Sequence, residues 1–358
     1  MEQFIGCDAH KHYSVFVAMN ERGEYSPAWR ASHDGNEVGR VLDALPAGSR
    51  IAVEATGYCY WLIDEMRSHG HKPVMTHPVE AKRRMGKTKK TDRMDARALA
   101  MLLRNGTLPE VWIPPAEIRD RREPMRLRMT LSRTRTRLKN RIHGVLGRFN
   151  IQIPVSDLFG ARGREELAGQ RARLPEHTRA SVEQMLRVLD FVEQEIEVAE
   201  KRIAVMLKQD EAAKLLDTLP GVGPILSAVL ALEIGDVSRF PTAGQLASYA
   251  GLTPTVHSSG GHTRMGQVGH AVNRTLKWAF VEAAQKAASR EQKHPESHAT
   301  RLYRRIREKK NHQKAAVAVA RHLAEAAFGV LNKKQVYREP MKRGSATGSK
   351  QTASLTHE

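Results

Sequence analysis

The 358-residue chain carries 58 Lys plus Arg against 39 Asp plus Glu, and its formal charge of +19 predicts a polyanionic partner, nucleic acid foremost. Its longest nearly apolar run, PILSAVLALEIG (224–235), is far shorter than the ~20 residues of a membrane span, and MEQFIGCDAHKH has no basic stretch leading into an apolar one; a cytoplasmic, nucleoid-associated protein is expected. Cys7 and Cys59 are too few for a disulfide framework or a Cys-rich zinc site and read as small buried residues in a reducing compartment.

Residues 1–110 read as α/β. FIGCD and YSVFVAMN are short apolar strands, ERGEY turns into a third strand near SPAWRAS, EVGRVLDAL has helical spacing, and RIAVEA is a buried strand. GYCYWLIDEMRSHG is an amphipathic helix ending on a glycine, and KPVMTH is a fifth strand before the next helix. Three strands, then helix and strand alternating, is the order of a ribonuclease-H-like domain, although other mixed sheets share much of it.

Residues 111–212 change to long helices. Val182, Met185, Leu189, Val192, Ile196, Ala199, Ile203 and Met206 alternate steps of three and four, the seam of a coiled coil. Leu127, Leu131, Leu138, Ile142, Val145 and Phe149 offer a partner within the chain, with LFGARGREELAGQ as the bend, but the unbroken heptads favour pairing between chains. Between 124 and 149 the basic residues, among them Arg126, Arg133, Arg135, Arg137, Lys139 and Arg141, have no acidic counterpart. A solvated helix face normally mixes signs, so this run points to phosphate contact.

Residues 213–335 form a third, helical unit. It opens with LPGVGPILS, where Gly221 and Gly223 shape either a tight turn or a helix-hairpin-helix element whose backbone amides meet a phosphate. The tail, 336–358, is polar, turn-rich and expected to be disordered.

Acids at the ends of apolar strands need a reason, because an unpaired buried charge is expensive. Asp8 closes FIGCD and Glu54 closes RIAVE. In KTDRMDAR, Asp92 and Asp95 share one face of a helix that Thr91 caps, amid Lys87, Lys89 and Lys90, which suit phosphate. A helix start explains this pair on its own. In a ribonuclease-H arrangement, however, the first and fourth strands are neighbours, and all four carboxylates converge. Such a cluster calls for hard cations, Mg²⁺ with Mn²⁺ as substitute, and two such ions clamp the attacking and leaving oxygens of a phosphodiester. His10 and His12, two apart after a strand, read as surface positions and not as ligands.

The segments GCDAHK, VEATG and KTDRMDARALA resemble the Asp-Glu-Asp-Asp tetrad of the insertion-sequence one-hundred-ten family of transposases, whose N-terminal domain is RuvC-like. LPGVGPILSAVLALEIGDVSRFPTAGQLASYAGLTP, followed by SSGG and NRTLKWAF, is similar to that family's second domain, with MGQVGH departing from the usual pattern after the serine. The resemblance implies a catalytic set of Asp8, Glu54, Asp92 and Asp95 as metal ligands with Ser259 as nucleophile. It also implies donor and target DNA as substrates, a structured noncoding guide RNA, and a dimer or tetramer in which Ser259 reaches the tetrad of another protomer. On chemistry alone HSSGGH is a flexible loop, with Ser258, His257 and His262 as loop residues, since an unactivated serine is a weak nucleophile. Two other readings stand beside this one: a junction-resolving endonuclease in which the tetrad activates water, and a nucleic-acid-binding protein with a decayed ribonuclease-H domain. The presence of all four acids argues against decay.

Overall fold

Apolar runs of five to eight residues, interrupted by turn residues, pair into a mixed sheet. The computed structural model describes residues 3–86, 91–268 and 272–340, and of 256, 257, 262, 263, 265, 267 and 268 the backbone alone. The chain divides into two compact units after Glu117.

In the first unit β1 (Gln3–Ala9), β2 (Tyr13–Asn20) and β3 (Trp29–Ser32) form an antiparallel meander, followed by α1 (Glu37–Ala44), β4 (Arg50–Glu54), α2 (Cys59–Ser68), β5 (Lys72–Thr76), α3 (Pro78–Met85), α4 (Asp92–Arg104) and β6 (Glu110–Val111). The sheet order is β3-β2-β1-β4-β5-β6, with β1, β4 and β5 parallel and β6 antiparallel to β5. The sixth strand is absent from the sequence reading, because two residues carry no period. Alternation sends Ile5, Cys7, Ile51 and Val53 to one face, against Leu62, Ile63 and Met66 of α2. The opposite face, with Ala52 and Val74, packs on Leu99, Leu102 and Leu103 of α4. Gly6 lets β1 touch α4 directly: a Cβ there would stand 1.9 Å from the Ala96 carbonyl oxygen. Both cysteines are buried, and burial pushes the Cys7 thiol far above its ordinary range, leaving it inert.

The second unit is mostly helical. Its elements are α5 (Ala116–Arg148), α6 (Ala161–Gln170), α7 (Glu176–Leu207), α8 (Glu211–Asp217), α9 (Pro224–Ile234) and α10 (Ala243–Tyr249), a hairpin of β7 (Pro254–Ser259) and β8 (His262–Val268), then α11 (Arg274–Ser289), α12 (His298–Lys309) and α13 (His312–Lys333). Its main core joins α8, α9, α11 and α13 through Leu216, Leu230, Phe280, Leu323 and neighbours, all fully or nearly fully buried. Residues 336–340, which composition assigns to a disordered tail, are held in place. The Tyr337 amide donates to Thr218 Oγ1 at 2.9 Å, and the Glu339 carboxylate accepts from the His298 amide at 2.9 Å. Residues 341–358 lie outside the described residues.

The coiled-coil expectation is corrected in its pairing. Val182, Leu189, Val192, Ile196, Ala199 and Ile203 are already buried within the single chain. Ion pairs Arg128–Glu200 at 2.7 Å and Lys139–Glu193 at 2.9 Å run α5 antiparallel to α7, and Ile142, Val145 and Leu146 close the far end on Val182 and Leu186. Heptad spacing records that a helix has a partner, not which chain supplies it. Leu127 and Phe149, expected in the seam, are exposed. A different stripe on α7, formed by Val188, Phe191, Val198 and Val205, is also exposed. Asp at both Leu189 and Ile196 is therefore expected to unfold the helical hairpin, lowering the thermal midpoint with loss of helical circular dichroism. Asp at Phe191 and Val198 leaves the fold intact and, where copies associate through this stripe, reduces the assembly seen on sizing chromatography.

Candidate active site

Two features of local structure bring the acids together. The first is the parallel pairing of β1 with β4, which sets Cys7 opposite Val53 on the α2 face. The next residue of each strand, Asp8 and Glu54, then projects from the opposite, α4-bearing face at the same edge of the sheet. The second is the start of α4, where the Thr91 hydroxyl accepts from the Met94 amide at 3.3 Å and Asp92 and Asp95 occupy the first turn. The helix-start reading of KTDRMDAR holds, and the same capping fixes where the two carboxylates point.

Asp8, His10 and Asp92 each place one donor atom within 4.8 Å of the others. His10 Nε2 stands 3.1 Å from Asp8 Oδ2 and 3.5 Å from Asp92 Oδ2. The Tyr13 hydroxyl donates to Asp92 Oδ2 at 2.8 Å, and its ring stacks on His10 with centroids 4.6 Å apart. Asp95 lies outside this closest trio yet acts on it. Burial, with repulsion from Asp95 and Asp92, holds the Asp8 carboxyl above its usual range against the attraction of His10. Glu54 also lies outside the trio, at the end of β4.

Sequence reasoning places His10 at the surface, and the structure sets it beside the acids. A histidine in a hairpin turn reads as surface, and indeed it is over a third exposed, but the turn closed by its amide on the Tyr13 carbonyl at 2.9 Å folds the ring back over Asp8. Two clustered acids and an imidazole, with one carboxyl already resisting ionisation and Asp95 near enough to act on it, form a donor set that suits a divalent cation.

Ser259 belongs to the second unit. It is not in a flexible loop: it ends β7, pairs with His262 across a two-residue turn of Gly260 and Gly261, and is exposed. Both glycines have positive φ, 56° and 81°, as a type I′ turn requires. His257 and His262 are strand positions, not loop ones, and their side chains lie outside the described residues, as do Lys87, Lys89 and Lys90.

The expected nucleic-acid contacts divide. Gly221 has a packing reason: its φ is +75°, and a Cβ would stand 2.1 Å from the Ala283 carbonyl oxygen of α11. Gly223 caps α9, where Pro224 removes one of the amides a phosphate would use. On α5, Lys139 pairs with Glu193 and Arg126 with Glu123, so the run is less one-sided than its sequence. Among the described residues Arg133, Arg135, Arg137 and Arg141 form no ion pair within the chain, and three of them, Arg133, Arg137 and Arg141, are exposed. Replacing Arg133, Arg135 and Arg137 with Ala is expected to flatten the slope of log affinity against log salt by up to about 0.9 per lost duplex contact, in titrations across a salt series.

Comparison with known proteins agrees with these two units. Residues 5–151 match a DEDD transposase domain model of the IS110 type, and residues 213–299 match the model described as transposase IS116/IS110/IS902 family. The y4pF/y4sB protein of Sinorhizobium fredii, which bears a transposase name, is 27% identical over 94% of this chain and 85% of its own. The 44.8 kDa protein of insertion element IS116 from Streptomyces clavuligerus is 24% identical over 93% and 96%. The transposase for insertion sequence element IS1111A of Coxiella burnetii is 24% identical over 70% and 69%. No helix among the described residues is long and apolar enough to cross a membrane. Domain order, the acids on the α4 face and these relatives agree: the chain belongs to the IS110/IS116/IS902 family of transposases, enzymes of DNA strand cleavage and transfer.

Proposed function

We propose that this transposase cuts and rejoins DNA through a covalent serine intermediate, with a RuvC-like first unit (1–110), a helical region (111–212) that binds nucleic acid and joins copies, and a C-terminal unit (213–335) that carries the nucleophile. The observation that supports this most is the convergence of Asp8 and Asp92, with Asp95 acting on Asp8, where β1 meets the start of α4. Asp8, Glu54, Asp92 and Asp95 would hold Mg²⁺, or Mn²⁺ in its place, which when bound supplies Lewis acidity toward a phosphate oxygen and the leaving oxygen.

Ser259 Oγ gives up its proton to solvent and attacks the scissile phosphorus. A serine phosphodiester forms as the bond from phosphorus to the departing sugar oxygen breaks, and that oxygen takes up a proton. The reverse step on a second strand end rejoins DNA and frees the serine. The hairpin suits this role by presenting an exposed hydroxyl at a tip whose register the ladder fixes. Tyr13 keeps Asp92 aimed inward through its hydrogen bond. Basic residues such as Arg133 and Arg137 bind donor and target DNA and a noncoding guide RNA, the latter choosing sequence by base pairing. The exposed α7 stripe favours a dimer or tetramer. A protein of this activity works in the cytoplasm, on the nucleoid.

Complementation tests the shared site. Ser259→Ala and Asp8→Ala proteins are each expected to be inactive, and mixing them is expected to restore DNA cleavage through sites that take the tetrad from one chain and Ser259 from another. Persistent inactivity in verified mixed assemblies would place both in one chain, and cleavage by Ser259→Ala alone would make water the nucleophile.

A further inference from the structure

The acid tetrad leaves one polar side chain of the pocket unassigned. His10 follows Asp8 by two residues, at the turn between β1 and β2, and its ring is fixed on two sides: by stacking on Tyr13 and by the closeness of Nε2 to both Asp8 and Asp92. Tyr13 is itself held, through its hydroxyl on Asp92 Oδ2 and the Arg30 guanidinium 4.0 Å from its ring centroid. The imidazole is thus positioned by the same residue that positions an acid of the site.

Distances give this position a chemical meaning. Neighbouring ligands around a six-coordinate ion with bonds of about 2.1 Å stand about 3.0 Å apart. The separations of His10 Nε2 from Asp8 Oδ2 and Asp92 Oδ2, 3.1 and 3.5 Å, are close to that edge length. Without an ion the 3.1 Å contact is a hydrogen bond between Nε2 and Asp8 Oδ2, and a cation bound among these atoms would replace it. We infer that His10 is a nitrogen ligand of the metal site, making its donor set two or more carboxylates plus one imidazole. The inference rests on the metal reading proposed above and extends it to metal choice. Mn²⁺, a first-row transition ion, accepts a nitrogen donor more readily than Mg²⁺, which favours oxygen donors and keeps its water, so His10 biases the site toward Mn²⁺ over Mg²⁺.

Pulsed electron paramagnetic resonance of Mn²⁺ bound to the full-length protein tests this directly, with no DNA and no turnover. The wild-type protein is expected to show ¹⁴N modulation, replaced by the ¹⁵N pattern when histidine is ¹⁵N-labelled, and His10→Gln is expected to lose it while still binding Mn²⁺. In calorimetric titrations His10→Gln weakens Mn²⁺ by about tenfold and Mg²⁺ by much less. Mn²⁺ bound without nitrogen modulation, or modulation that survives in His10→Gln, overturns the ligand assignment and leaves the carboxylate site standing. Failure of the wild-type protein to bind Mn²⁺ at all, or binding that persists unchanged in Asp8→Asn, overturns the metal site and His10 with it.

Discussion

Asp8→Asn is expected to yield a folded protein that does not cut DNA. Asp8 is less exposed than Asp92, 17% against 43%, and stands against His10 with the α4 carboxylates acting on it; with Asp8 as the metal ligand proposed above, losing its oxygen forfeits several kcal/mol of transition-state stabilisation. At about 1.4 kcal/mol per factor of ten, cleavage falls by about a thousandfold or more. Stability moves the other way. Burial and two like charges already disfavour the ionised carboxylate, so an amide of the same shape leaves the metal-free thermal midpoint unchanged or raised. Scanning calorimetry in chelator beside a cleavage assay on supercoiled DNA checks both halves. A variant that fails to fold would make Asp8 a structural residue.

Glu233→Ala is expected to be strongly destabilising for a single substitution, and it lies far in sequence from any acid of the site. Glu233 and Arg122 are buried together at 3.3 Å, and Arg122 also donates to the Leu232 carbonyl through Nε at 3.1 Å and Nη2 at 2.8 Å. Arg239 Nε donates to the Ile234 carbonyl at 2.9 Å, so two guanidiniums satisfy the C-terminal carbonyls of α9. Asn273 joins the network, donating to Glu233 at 2.8 Å while capping α11 at the Leu276 amide. Removing the carboxylate strands a buried cation, at a cost of about 3–5 kcal/mol. Urea denaturation should show that loss. Glu233→Gln, which keeps an acceptor oxygen but not the charge, should recover only part of it, and the paired change Arg122→Met with Glu233→Leu should recover most of it, as apolar replacements of buried ion pairs do.

The parts of this structure legible in sequence are those written in local chemistry. Asp8 and Glu54 announce themselves as charges ending apolar strands, and the β1-to-α4 order follows from period and caps. His10 does not, because one histidine in a polar turn carries no signal until the turn's geometry aims it. The β7–β8 hairpin hides for a related reason: TVHSSGGHTRMGQV lacks the apolar alternation of a half-buried strand, and only the Gly-Gly pair hints at its turn. The Arg122–Glu233 pair spans over a hundred residues and leaves no pattern. The α7 seam is legible as a seam, but its occupant is a matter of chain path, which heptads do not encode.

The two-glycine turn after Ser259 has a consequence for how this family can vary. Strand side chains alternate with a period of two, so inserting one residue between Ser259 and Gly260 would move the hydroxyl to the other face of the ribbon while leaving the hairpin well formed. Substitutions along β7 and β8 alter the surroundings of the serine gradually; a single-codon length change there removes it from its face in one step. The tip is therefore a point where length, more than composition, is under constraint, while an insertion in the stretch between α5 and α6, where the chain is not confined to a two-residue turn, meets no such limit.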